Sequence, residues 1–194
     1  MERLAAGMTV VVALQTGVSA LGAFWTEAGD AGQLLPTAQV IRGTGRLDQI
    51  AGTLAGDDDV DLYRIRITDP DAFSITVSAN LSTDNDAQLF LFDSAGYLVA
   101  DDDDSGYQLL PQINAGVLSA HAAGIYHVAI DLYNTDPVGS PLSGWHSRPE
   151  PRQTGPYTMT FTGAAPVPEP ATQTVWPILG ALAIGYWRRR RKTC

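Results

Sequence analysis

Cysteine is almost absent from this chain. One of its 194 residues is a cysteine, Cys194 at the very end. No disulfide can form within the chain, so a packed core or a bound metal must hold it together. Signatures of catalysis are equally scarce. His121, His127 and His146 are scattered, with no pair at metal-ligand spacing. There is no Gly-x-Ser-x-Gly elbow. Carboxylate pairs alone do not make a glycosidase without a deep cleft and a raised pKa on one partner. The chain reads as non-enzymatic. Basic residues are few in the middle. Residues 30–166 carry eighteen acidic and six basic residues, a net of −12, against −9 for the whole chain. A surface this acidic repels nucleic acid and anionic lipid and attracts divalent cations or cationic partners.

Helical periodicity is also missing between Ile41 and Gly163. Short apolar-alternating runs separated by turn chemistry stand there instead. Gly45–Leu54 is the first. Val60–Ile67 is the clearest, with Tyr63, Ile65 and Ile67 on the predicted buried face and Leu62, Arg64 and Arg66 opposite. Phe73–Val77 alternates again. Gln88–Phe92 is nearly all apolar, which suits a strand buried on both faces. Asp93–Gly96 is a hairpin turn leading to Tyr97–Ala100. Ile125–Ile130 follows, with His127 on the phase opposite Tyr126 and Val128. Tyr157–Phe161 closes the set, with Tyr157, Met159 and Phe161 inward. These runs predict an all-β fold, an antiparallel two-sheet sandwich of seven or eight strands.

The two ends differ from this domain. Leu4–Trp25 is apolar after Met1-Glu2-Arg3, with small residues at Val18-Ser19-Ala20 and at Ala23. It predicts a signal peptide over 1–23, read by the export and signal-peptidase machinery. Residues 24–40, rich in Gly and Ala, read as a flexible lead-in. At the other end stand Val167, Pro168, Glu169 and Pro170, then a mostly apolar run over 171–187. As a helix that run would span roughly 25 Å at about 1.5 Å per residue, the short end for a bilayer. Arg188, Arg189, Arg190, Arg191 and Lys192 follow and would hold the far end in the cytoplasm.

That order of parts resembles the PEP-CTERM sorting signal of Gram-negative bacteria over residues 165–194. The resemblance implies an exosortase as partner, which cuts near Pro168-Glu169-Pro170. It implies anchorage in the inner membrane until processing, then a cell-surface or extracellular location in an exopolysaccharide or biofilm layer. Residues 41–164 resemble the bacterial pre-peptidase C-terminal domain. Gly52-Thr53-Leu54, Asp59-Val60-Asp61-Leu62-Tyr63, Asp86–Asp93, Asp101–Asp104, Ala123–Ile130 and Gly155–Met159 carry that likeness. So do Asp136-Pro137 and Pro141–Trp145. It implies a jelly-roll-like sandwich with an accessory or binding role, and calcium in some relatives. It also gives Asp61 a structural role, bonding the loop before its strand.

The acidic clusters are where chemistry is expected. Asp57-Asp58-Asp59 with Asp61, Asp84 with Asp86, and Asp101–Asp104 are dense enough to repel one another without cations or water. Calcium is the candidate ion, with Asp59, Asp101 and Asp103 as ligands and Asp57 and Asp86 behind them. Asp101-x-Asp103-x-Ser105-Gly106 begins like an EF-hand loop, but its twelfth position is Gln112 where a Glu is needed. Solvated turn aspartates are the alternative. Trp145, Tyr133 and Tyr107 are the aromatic residues that could grip a sugar face, the alternative for Trp145 being packing over one end of the core.

Overall fold

The structure is a computed structural model, and it describes residues 22–56, 58–81, 86–147 and 154–170. The signal peptide, the 171–187 helix, the basic cluster 188–192, Asp57 and Asp84 lie outside the described residues, apart from the last two positions of the expected signal.

The alternating runs form strands because β-branched and aromatic residues recur every second position and bury one face. In chain order the strands are β1 (Ala23–Thr26), β2 (Gln39–Val40), β3 (Leu47–Leu54), β4 (Asp61–Ile67), β5 (Ser74–Ala79), β6 (Ala87–Asp93) and β7 (Leu98–Asp102). After a 3₁₀ turn at Tyr107–Leu109 come β8 (Gln112–Ile113), β9 (Gly124–Leu132), β10 (Thr135–Val138), β11 (Gly144–Ser147), β12 (Gly155–Thr162) and β13 (Ala164–Ala165). The long strands are β3 to β7, β9 and β12, which fall on the seven runs picked out from the sequence.

One sheet has the order β1-β3-β12-β5-β8. The other runs β13-β4-β9-β6-β7, with β2 also paired to β4. Their inner faces meet in one core. Leu47, Ile50, Ile75, Met159 and Phe161 come from the first sheet; Tyr63, Ile65, Leu89, Val128 and Ile130 come from the second. This is a two-sheet sandwich. It is not wholly antiparallel: β1 lies parallel to β3 and β2 parallel to β4.

Two expectations are corrected here. Residues 24–40 are not a flexible lead-in. They contribute β1 to one sheet and β2 to the other, and Ala31 is fully buried between. Their Gly and Ala content reflects tight turns, as at Gly32 with φ +69, where side chains are disfavoured. Leu62, assigned to the open face of its strand, is buried too. A second apolar cluster covers that face: Leu62, Phe90, Phe92 and Ala129 lie beneath Leu34, Leu35, Leu142 and Trp145. The β10–β11 hairpin and the 32–38 loop bring those covering residues in. The same cover explains why β6 is apolar on both faces. His127, on the same outer phase, is buried too, its Nδ1 3.3 Å from the Asp93 carbonyl.

Candidate functional site

Asp61 is the first residue of β4 and shares the inward phase of Tyr63, Ile65 and Ile67. An aspartate on an apolar phase must find partners or stay neutral. Its side chain is 1 % exposed. Oδ2 accepts a hydrogen bond of 2.6 Å from the Tyr157 hydroxyl on β12, and that hydroxyl is 2.6 Å from the hydroxyl of Tyr63. Oδ1 is buried and has no hydrogen-bond partner. The loop-bonding role expected of Asp61 belongs instead to Asp59, whose Oδ2 accepts from the Ala55 amide.

Two more acidic residues arrive from the segment after β1. Glu27 continues the β1–β3 pairing, its amide donating to Ala51 O at 2.8 Å. Its Oε2 accepts from the Thr53 amide at 3.0 Å and its Oε1 from the Ala31 amide at 3.1 Å. Asp30 accepts from the Gly32 amide at 2.8 Å and is otherwise open to solvent. Asp30, Asp59 and Asp61 each present a carboxylate oxygen within 4.8 Å of the others. The group grades from exposed Asp30 through half-buried Asp59 to buried Asp61.

Crowding of like charge in a low-dielectric setting raises carboxylate pKa values. Burial is the largest influence on Asp61, with the Glu27 and Asp59 charges adding to it and the Tyr157 hydroxyl opposing; its pKa is pushed up to about 8. Burial also raises Asp59, against the pull of the Ala55 amide. Tyr63 and Tyr157 are driven upward by burial and then by Asp61, so both stay neutral donors. Close approach of these parts depends on Gly52 in β3. A Cβ there would meet Tyr157 Oη at 2.3 Å and Glu27 Oε2 at 2.9 Å.

Among the described residues singled out as calcium ligands, Asp59 alone belongs to this group. Asp101 is exposed within β7, opposite Phe90, and so is a strand residue instead of a loop ligand. Asp103 follows the strand end, half-buried. Between them Asp102 caps the turn: its Oδ2 accepts from the amides of Ser105 at 3.2 Å and Gln112 at 2.9 Å. Gln112, at the position where an EF-hand would hold Glu, closes the loop by donating to Ser105 O at 2.9 Å. Asp86 is half-buried before β6, with its carbonyl taken by the Tyr133 amide at 3.0 Å. Glu27 and Asp30 carry no sequence signal for this role, since they stand outside any alternating run, among the Gly and Ala residues of 27–38. The phase of Asp61, in step with Tyr63, was the signal that pointed to this end of the core.

Trp145 packs edge-on against Phe90 and Phe92, at ring-centroid distances of 5.6 and 6.1 Å, and its Nε1 donates to Gln33 O at 2.7 Å. Its ring belongs to the outer cluster. Tyr133 and Tyr107 stand exposed on the β9–β10 turn and the 3₁₀ turn. In the expected processing motif, Val167 bridges to Arg42 in parallel, its amide donating to Ile41 O at 2.6 Å. Pro168, Glu169 and Pro170 are exposed beyond it. Among the described residues no helix is long and apolar enough to cross a membrane.

No protein-family model matches the chain, and no curated protein sequence does. Among solved structures it is similar to PliG of Aeromonas hydrophila, a periplasmic lysozyme inhibitor of g-type lysozyme. The match has 10 % identity and a TM-score of 0.35, and it covers 72 % of this chain and 100 % of that one.

Proposed function

We propose that this chain is an exported, non-catalytic surface protein whose sandwich is locked by calcium at Asp30, Asp59 and Asp61, with Glu27 beside them. The observation that carries the reading is the buried, unpartnered Asp61 Oδ1 within a three-carboxylate group. Calcium takes six to eight oxygen ligands, and oxygens bound to one ion at about 2.4 Å stand no more than about 4.8 Å apart. Three carboxylate oxygens already meet that limit. The open side at Asp30 admits the ion and leaves room for water. Bound there, the ion ties the segment after β1 to the start of β4, and so joins both sheets at one end.

Export and sorting belong to the same reading. The apolar start, the Val167–Pro170 motif and the arginine-rich end support an exosortase substrate bound for an extracellular polysaccharide layer. Exposure of Pro168, Glu169 and Pro170 just past the last strand pairing supports access to the motif.

Thermal melts of the chain at fixed ionic strength test the calcium reading, since a ligand of the folded state alone stabilises by about 2.7 kcal/mol at 100 times its dissociation constant. Millimolar calcium is expected to raise the midpoint, and Asp61→Asn to reduce the rise. An unchanged midpoint in the wild-type chain sinks the reading.

A further inference from the structure

A second place in the molecule holds buried oxygen without donors, on the opposite face of the six-stranded sheet. Asp131 of β9 is 0 % exposed, and neither of its carboxylate oxygens has a hydrogen-bond partner. Its partner in the β6–β9 ladder is Gln88, which is 9 % exposed and whose Oε1 is also without a partner. Directly opposed residues of an antiparallel pair share a face, with Cβ atoms about 4.5–5.5 Å apart. Three orphan acceptor oxygens are therefore neighbours. The inner face is excluded for both, since Leu89, Ile130 and Leu132 occupy that phase. Asp136 of β10 is exposed and close enough that its charge acts on Asp131.

Buried polar atoms in folded proteins are paired with few exceptions, and an isolated buried carboxylate is the most unfavourable of them. A proton on Asp131 would let it donate to Gln88 Oε1, but would leave the other carboxyl oxygen unmatched. A cation satisfies all three oxygens at once and also relieves the repulsion from Asp136. Two carboxylates and an amide carbonyl are hard oxygen donors, the set that calcium takes and that soft metals do not.

We propose that Asp131 and Gln88, with Asp136 at the rim, form a second site for a hard divalent cation, calcium, beside the β10–β11 hairpin. The site is separate from the Asp61 group: Asp61 and Asp131 lie on opposite faces of one sheet. A bound ion would link β6 and β9 to β10, fixing the hairpin that presents Trp145 to the outer cluster.

Calcium titration of the full chain by calorimetry, with the ions per chain counted, tests this. Two ions are expected for the wild type, and one for Asp131→Asn. Wild-type stoichiometry in Asp131→Asn overturns the proposal and leaves Asp131 as a buried neutral acid. Two ions in the wild type and one in each of Asp61→Asn and Asp131→Asn uphold both sites. A single wild-type ion lost in Asp61→Asn but kept in Asp131→Asn overturns this site and leaves the first standing; the reverse pattern upholds this site and removes the first. Should Asp131→Asn fail to fold, anomalous diffraction from lanthanide-soaked wild-type crystals decides. A peak between Asp131 and Gln88 is expected, and none there overturns the proposal.

Discussion

The hydroxyl of Tyr157 stands 2.6 Å from the buried carboxylate of Asp61 and donates to it. The two residues are 96 positions apart, so this bond joins the first long strand of one sheet to the middle strand of the other. Tyr157→Phe leaves Asp61 Oδ2 and the Tyr63 hydroxyl without their partner. Leaving a buried polar group unsatisfied costs roughly 1–3 kcal/mol. Denaturant unfolding should show a loss in that range, and Tyr63→Phe a smaller one, because Tyr157 keeps Asp61. Equal losses for both would mean the Asp61 bond is not the stronger of the two.

Gly52→Ala should be disproportionately destabilising for a single methyl. Its Cβ has nowhere to go between Tyr157 Oη and Glu27 Oε2, and overpacking of this kind typically costs about 1–3 kcal/mol. Calcium affinity should fall with it, since Glu27 and Tyr157 both have to shift. Thr53→Ala, one residue along and exposed, serves as the control.

Without calcium, the chain should lose stability as pH rises. Asp61 in the folded state has its pKa pushed up to about 8, against an ordinary value of 3.8. The folded form therefore holds a proton that the unfolded chain releases across that interval. Its contribution is fully present below about pH 4 and is lost as pH climbs through about 8. Melts in chelator from pH 4 to 9 should show this fall, and Asp61→Asn should make it shallower, the raised Asp59 and Asp131 keeping the remainder. Calcium should reverse the trend, because it binds the ionised form. A profile identical in wild type and Asp61→Asn would contradict the burial described.

Replacing Pro168, Glu169 and Pro170 together with Ala should leave export intact and block removal of the tail. Immunoblots of cell fractions would then show the full-length species alone. Wild-type proportions of processed protein would count against sorting. Changing Arg188–Lys192 to Gln should have a different effect, letting the tail slip outward for want of retained positive charge.

Much of the sandwich was legible because alternation is a direct physical record of which face is wet. Tyr63, Ile65, Val128, Ile130, Met159 and Phe161 sit inward as their phase requires. What alternation could not disclose was a face that looks polar locally yet is covered from afar. Leu62 is buried by the 32–38 loop and the β10–β11 hairpin, and nothing within its own strand encodes that cover. The acidic group was half legible. Asp59 and Asp61 sit in a conspicuous run, but Glu27 and Asp30 join them from a segment whose glycines read as slack. Conversely Asp101 and Asp103, conspicuous in sequence, join no three-carboxylate group among the described residues. Asp101 lies in the strand and Asp103 past its end, and alternation turns Asp102 away from Asp101 to the loop amides of Ser105 and Gln112.

The placement of β12 fixes when this molecule can fold as well as how. It is the penultimate strand in sequence but lies inside its sheet, between β3 and β5. Until it emerges, those two strands share no neighbour and each shows a bare edge. Gly52 must wait for Tyr157 and Ser78 for Thr158, across loops long enough to make such closure slow. In a chain emerging from its N-terminus, the first sheet would thus stay open almost to the end, while β4, β9, β6 and β7 can already pair. Assembly of that sheet is then set off by the arrival of its last long strand, a few residues ahead of the Pro-Glu-Pro segment.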